Sequence, residues 1–319
     1  VREYTMAFEI PKANYTGKIK EVVLGAGERA VTVGGETCYP FHLFEGAMPH
    51  PPRIAMEVCD APPEDWAEAA VEPFRDVTGD PVAWARKCID VYGADMICLQ
   101  LNSADPNGQN RPADEVAATV KRVADAVEVP LIVWGCENEE KDAEVLRKVA
   151  EACQDKRLIL GPVVEGNYKA IGAAAIGYKH TVLATSPIDI NLCKQLNILL
   201  GDLGVPDAQI VVDPTTGGLG YGLEYTYSVM ERDRMAALTQ GDERLQFPIV
   251  CNLGREVWKV KEVKTSREED PKLGDEAKRG ILMEAVTAMS LLVAGADALV
   301  VRHPEAVKLI RKAIQDLME

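Results

Sequence analysis

The sequence predicts a (β/α)8 TIM barrel of the α/β class with an N-terminal β-hairpin extension, and three observations predict it. From residue 50 onward, short β-branched runs alternate with longer amphipathic stretches, as repeated βα units around a parallel sheet require. Several of those runs stay apolar without alternation, as in Ile210-Val211-Val212 and Ala298-Leu299-Val300-Val301, the pattern of strands covered on both faces. Eight such units fit within residues 51–319, a length suited to a closed barrel, although 319 residues would also accommodate two ordinary domains. The predicted organisation is therefore an extension over 1–50 and a barrel domain over 51–319.

Taken in order, residues 21–24 and 30–33 flank Gly25-Ala26-Gly27, and Gly34-Gly35 follows, which reads as a hairpin covering one end of the barrel. Strands are expected at 53–58, 95–101, 130–135, 157–161, 181–185, 209–213, 248–252 and 297–302. Helices are expected at about 81–92, 113–127, 139–153, 167–178, 189–203, 224–240, 279–294 and 304–318. In the third of these, Val145, Val149 and Ala152 recur at helical spacing behind an acidic first turn that suits the helix dipole. Tyr92-Gly93-Ala94-Asp95 and Ala294-Gly295-Ala296-Asp297 share one design, a helix ended by glycine and followed at once by a buried strand. Residues 259–278 form a charged insertion after the seventh strand, readable as a solvated loop or as a partner-contacting one.

Hydrophobic residues make up 47% and charged residues 27% of the chain, so it can bury a sizeable core and disorder is excluded as its main state. With 50 acidic against 35 basic residues the net charge is −15, which opposes binding to a phosphate backbone and argues against a nucleic-acid partner. Residues 1–6 lack the basic and apolar regions of a signal peptide, and no apolar run reaches the length of a membrane span. The expectation is a soluble, cytoplasmic protein with no membrane partner. Its eight cysteines are scattered and form no C-x-x-C, as reduced, buried thiols would be.

In such a barrel, ligands bind at the C-terminal ends of the strands. That criterion selects Glu57, then Asn102, Ser103 and Asp105, then Cys136, Ser186, Asp213, Asn252, and finally Arg302 with His303. The loop Asp213-Pro214-Thr215-Thr216-Gly217-Gly218-Leu219-Gly220-Tyr221-Gly222 stands directly before a helix and lets backbone approach a ligand closely. A phosphate cradle, a seat for a flat or bulky ligand and a purely structural turn are all open readings, but the P-loop ending and the dinucleotide fingerprint are absent. Ser186 and Asp189 suit the start of a helix, and Arg302-His303-Pro304 is either another helix start or a ligand clamp. The four histidines show no metal-ligand spacing, no G-x-S-x-G elbow is present, and no lysine ends the sixth strand. The residues thus offer a polar, amide-rich mouth with no evident acid–base engine, no catalytic residue and no metal ligand.

Several longer strings carry a family resemblance. Asn191-Leu192-Cys193-Lys194-Gln195-Leu196-Asn197-Ile198, the Asp213–Gly222 loop, Val250-Cys251 and Arg302-His303-Pro304-Glu305-Ala306 resemble the small subunit of the corrinoid iron–sulfur protein, the delta-type subunit of the acetyl-CoA decarbonylase/synthase system. Pro40-Phe41-His42-Leu43-Phe44-Glu45-Gly46 and Tyr92-Gly93-Ala94-Asp95 belong to the same resemblance, which runs essentially end to end. It implies a methyl carrier of the reductive acetyl-CoA (Wood–Ljungdahl) pathway, a carbon-fixation route of anaerobic metabolism. In that system a cobalamin receives methyl from methyltetrahydrofolate through a methyltransferase and passes it to acetyl-CoA synthase. It further implies a heterodimer whose large subunit holds a [4Fe–4S] cluster and most of the cobalamin site, the small barrel closing over the corrin. Because methyl donor and acceptor enzymes must reach the same cobalt, the cobalamin domain is expected to swing away from the barrel during turnover. D-x-H-x-x-G is absent, so this chain offers no standard histidine ligand to cobalt. Strand-end position and the resemblance together nominate Asn102, Asp213, Gly217, Gly218, Gly220, Asn252 and Arg302 as the corrin-facing surface. A more distant similarity, over 95–106, 210–214, 249–252 and 294–301, is to the pterin-dependent methyltransferase barrel, and it supplies an alternative function; the Gly-rich loop departs from that pattern.

Overall fold

The computed structural model describes residues 10–319; residues 1–6, whose lack of signal-peptide character is noted above, lie outside that range. Eight parallel strands close into a barrel: β3 (Arg53–Cys59), β4 (Met96–Gln100), β5 (Leu131–Trp134), β6 (Ile159–Val163), β7 (Thr181–Thr185), β8 (Ile210–Asp213), β9 (Ile249–Asn252) and β10 (Ala296–Val301). The strands follow one another in chain order around the barrel, and β10 pairs with β3 to close it. Between and after them run α1 (Glu68–Val71), α2 (Pro81–Asp90), α3 (Ala113–Ala126), α4 (Glu139–Ala152), α5 (Tyr168–Tyr178), α6 (Ile190–Leu203), α7 (Leu223–Leu238), α8 (Leu253–Val257), α9 (Lys261–Lys264), α10 (Glu276–Val293) and α11 (Pro304–Met318). The eight expected strands and eight expected long helices are all present, and the short α1, α8 and α9 are additions.

The two-residue period of a strand sorts each one's side chains into two layers. Ile54, Met56, Ile97, Leu99, Val182, Ile210 and Leu299 face outward and join one core with the helices. Ala55, Met96, Cys98, Ile132, Leu183, Val211, Val250 and Ala298 face inward and fill the barrel. Continuing that alternation to the strand ends turns Gln100, Thr185, Asp213, Asn252 and Arg302 inward as well, with Glu57 beside them. Buried polar side chains therefore lie on top of an apolar plug.

The expected hairpin is β1 (Val22–Leu24) paired antiparallel with β2 (Val31–Val33). Val22, Leu24 and Val33 belong to the same inner cluster as the barrel residues. Gly34 sits at φ +85°, and a Cβ there would lie 2.0 Å from the Lys20 carbonyl oxygen and 3.0 Å from Pro248, which precedes β9. The hairpin thus stoppers the N-terminal end, leaving the opposite mouth clear. Below it, Arg234 of α7 donates to Asp297 at 2.5 Å and to the carbonyls of Gly295 and Phe247, while Asp297 also accepts from the Ile249 amide. Glu36 packs beside this pair, where burial and the Asp297 charge push its carboxyl up to about 9.

The charged insertion is ordered rather than a plain loop. Arg279 of α10 donates to the carbonyls of Glu262, Thr265, Leu273 and Gly274, gathering α9 and the following turn around one guanidinium. Such a fork serves backbone carbonyls scattered over 13 residues, which local charge patterning does not reveal. At the start of α6 the cap is Asp189, whose carboxylate accepts from the amides of Asn191 and Leu192; the buried Ser186 is not the cap. Among the described residues no helix is long and apolar enough to cross a membrane.

Candidate functional site

Beside a cavity of about 400 Å³ over Thr185, Ser186, Leu192 and Thr215, the C-terminal mouth holds two cavities that share Arg255. The larger, of about 600 Å³, is lined by Glu57, Trp66, Gln100, Asn102, Cys136, Trp258 and Arg302 among others. The smaller, of about 310 Å³, is lined by Trp134, Glu137, Asp142, Thr185, Asp213, Thr216, Gly217 and Asn252 among others. Arg255, from α8 directly after β9, borders both and is paired at 2.5 Å with Glu137 from beyond β5. Trp134 adds its indole N–H to the same carboxylate at 3.4 Å.

The nominated residues divide between these spaces. Asn102 stands exposed on the larger cavity, in a short turn fixed by Asp60, which accepts from both the amide and the hydroxyl of Ser103. Arg302 lines the same cavity but is 96% buried, and Glu57 takes its Nε and Nη2 at 2.8 and 3.1 Å. Its guanidinium carbon lies 3.7 Å from the Trp66 ring centroid, a cation–π contact. Glu284 of α10 accepts the amides of Arg302 and His303 and the Trp258 indole, and burial pushes its carboxyl up to about 7. His303 caps α11 by accepting from the Glu305 amide, and burial lowers it to about 4. The helix-start reading of Arg302-His303-Pro304 therefore holds, and the Arg302 fork is largely occupied by Glu57.

Asp213, Gly217 and Asn252 meet in the smaller cavity. Asp213 accepts the Thr215 amide at 3.0 Å, yet burial dominates and pushes its carboxyl up to about 7. Asn252 is 4% exposed, and neither its Nδ2 nor its Oδ1 has a hydrogen-bond partner; Oγ1 of Thr216 and Oγ of Ser186 are buried and unpartnered too. Gly217 has open space where a side chain would stand, with only Thr215 Oγ1 at 4.0 Å. Gly218 and Gly220 line neither cavity. A Cβ on Gly218 would lie 2.8 Å from the Gly222 carbonyl and 3.0 Å from Thr226, and Gly220 has φ +88°, so both serve the turn itself.

Several site residues carry no local signal in the sequence. Thr185 and Trp134 follow from the inward alternation of their strands, whereas Glu137 and Trp66 are brought in by loops and Arg255 by the short α8. Asp142 folds back from the first turn of α4 to accept the amides of Cys136 and Glu137, and burial pushes it up to about 6. Burial, then the Asp142 charge, pushes the Cys136 thiol up to about 12, so it is no ready nucleophile.

Five carboxyl-bearing residues, Glu137, Glu139, Asp142, Asp213 and Glu256, line the smaller cavity against the single cation Arg255. That field opposes an anion, and with it the phosphate-cradle reading of the Gly-rich loop. The arrangement suits recognition of a neutral polar group. Among the described residues there is no cluster of three or more His, Cys, Asp or Glu able to hold a metal ion.

A family model described as CO dehydrogenase/acetyl-CoA synthase delta subunit matches residues 21–314. The acetyl-CoA decarbonylase/synthase complex subunit delta of Archaeoglobus fulgidus is 40% identical over 324 residues, covering 97% of this chain and 71% of the relative. The corresponding subunit of Methanopyrus kandleri is 38% identical, over 92% and 72%, and that of Methanocaldococcus jannaschii 32%, over 96% and 75%. These matches bear out the resemblance to delta-type subunits. Among solved structures, dihydropteroate synthase of Xanthomonas albilineans with 4-aminobenzoic acid aligns with a TM-score of 0.60 at 14% identity, over 93% of this chain and 97% of that one. Dihydropteroate synthase of Coxiella burnetii with pteroic acid gives 0.57 at 11%, over 94% and 100%. At that identity the likeness is one of fold, and it agrees with the closed barrel.

Proposed function

The chain belongs to the family of CO dehydrogenase/acetyl-CoA synthase delta subunits, and from that premise we propose that it is the small subunit of a corrinoid methyl carrier. In this reading it pairs with a large subunit that holds a [4Fe–4S] cluster and most of the cobalamin site. The complex takes methyl from a methyltetrahydrofolate methyltransferase and delivers it to acetyl-CoA synthase, in the cytoplasm and without nucleic-acid or membrane partners. When bound, the corrinoid supplies the cobalt that accepts and releases the methyl group. This chain supplies the cap.

The observation that carries the reading is the broad polar mouth with unsatisfied groups in its floor. Asn252 and Thr216 have unpartnered polar atoms, and a corrin is rimmed by amide groups that can pair with them. The ring itself is too large for a 310 or 600 Å³ space, so it would lie across the mouth rather than within it. Tyr221, 92% exposed at the tip of the Gly-rich loop, and Tyr225, 62% exposed, offer flat apolar surface at that rim. The barrel residues would then exclude water and oxidant from one face. Asp213, which burial pushes up to about 7, presents only part of a charge there near neutral pH.

The test is to titrate the isolated chain into the cobalamin-loaded large subunit while following the corrin absorption bands. A spectral shift saturating at equimolar chain supports the cap. A complex that forms with no shift contradicts it.

A pterin-dependent methyltransferase is the second reading. One observation favours it: the smaller cavity has the volume for a two-ring heterocycle and sets the Asn252 amide and the Asp213 carboxyl on adjacent strands. Dihydropteroate synthases of the same fold are named with pterin-type ligands. Fluorescence titration of a free pterin with the isolated chain separates the two readings.

A further inference from the structure

Asn252 ends β9, and the alternation that points Val250 into the barrel points Asn252 into the smaller cavity above it. A primary amide buried to 96% with neither its donor nor its acceptor engaged is costly to keep, and native interiors rarely leave one so. The Thr216 hydroxyl, on the loop after β8, is equally buried, equally unpartnered and borders the same space. Two further features define what would satisfy them. The acidic lining, with its one cation already on Glu137, disfavours a carboxylate or phosphate. Gly217, at the exposed edge of the space, has no side chain to close it.

The complement of this pocket is a small, planar, neutral group with a carbonyl acceptor beside an N–H donor. We infer that the pocket beneath Gly217 is a carboxamide subsite, in which Asn252 pairs head to head with a primary amide, Thr216 adds a third hydrogen bond and the acidic lining rejects the corresponding acid. The identity of the amide's carrier rests on the corrinoid reading above: a corrin bears acetamide and propionamide arms, and a cavity of about 310 Å³ admits an arm but not the ring. The subsite would fix the rotation of the ring on the mouth, because only one arm can enter.

The experiment compares the complex of this chain and its large subunit in its affinity for cobalamin and for the set of cobalamin monocarboxylic acids, each with one amide hydrolysed, by equilibrium dialysis. One monocarboxylate is expected to bind about tenfold or more weakly than cobalamin, a difference of about 1.4 kcal/mol. Asn252→Ala is expected to weaken cobalamin by a similar factor and to abolish the discrimination against that one acid. Gly217→Leu, which fills the open edge without meeting neighbouring backbone, provides a second variant with the same expected loss should Asn252→Ala fail to fold. Cobalamin retention and discrimination unchanged by both variants would overturn the subsite while leaving the corrinoid reading standing. Assembly of the two subunits with no cobalamin retained would overturn that reading, and the carrier of the amide with it. Binding of a free pterin by the isolated chain, abolished by Asn252→Ala, would overturn the amide-arm assignment in favour of a ring lactam.

Discussion

Arg255 and Glu137 meet at 2.5 Å across the mouth of the barrel, one from the helix after β9 and the other from the turn after β5. Their contact is the partition between a 310 Å³ and a 600 Å³ cavity, and it engages the one cation that borders the smaller. With side chains 24% and 45% exposed, the pair is screened by water and adds little to folding. Arg255→Ala is therefore expected to change stability by less than about 1 kcal/mol in urea denaturation.

The opposite holds for Arg302 and Glu57, whose side chains are 5% and 2% exposed. Removing Glu57 strands a guanidinium in the interior. Glu57→Ala is expected to cost about 3–5 kcal/mol, whereas Glu57→Leu combined with Arg302→Met recovers most of the loss. Denaturant midpoints of the three proteins check this; an undiminished midpoint for Glu57→Ala would return Arg302 to the role of a free ligand clamp.

The glycines of the loop after β8 are expected to separate by role. Gly218→Leu pushes a side chain against the Gly222 carbonyl and Thr226, an overpacking expected to cost about 1–3 kcal/mol. Gly217→Leu meets nothing of the kind and is expected to leave the melting temperature near that of the wild type. Equal destabilisation by the two would mean that Gly217 too serves only the turn.

Stability is expected to depend on pH through the buried carboxyls. Burial raises Asp213 and Glu284 to about 7 and Asp142 to about 6, above the ordinary carboxylate values of the unfolded chain. The folded state then holds more protons than the unfolded state between roughly pH 4 and 7, so stability is full below that window and is lost as pH rises through it. Asp213→Asn is expected to flatten this slope and to be more stable than the wild type at pH 8. Denaturation series at pH 5 and pH 8 measure it, and a wild type that gains stability over that rise would contradict the account.

The strands and long helices were legible because each is encoded locally. Val211 and Val250 needed only the two-residue period to be placed in the barrel, and the same period carried Asp213 and Asn252 to its mouth. What the sequence conceals is pairing at a distance. Glu57 and Arg302 are 245 residues apart and meet only because β10 closes on β3. Arg255 and Arg279 likewise look like ordinary surface charges until the fold gives one a carboxylate across the mouth and the other four carbonyls. Gly218 and Gly220, read with Gly217 as one ligand-facing run, serve the turn instead, Gly218 facing the Gly222 carbonyl and Thr226 and Gly220 taking a positive φ, which no spacing rule describes.

In the proposed function this barrel mouth caps a corrinoid held jointly with a large subunit. The most direct measurement is the cobalt content and corrin absorption of the large subunit purified with this chain, of the large subunit alone, and of this chain alone. Equimolar cobalt with a distinct spectrum is expected in the two-subunit complex, and none in this chain by itself. Cobalt retention and a spectrum indifferent to the presence of this chain, or methyl transfer from methyltetrahydrofolate by the lone chain, would contradict it.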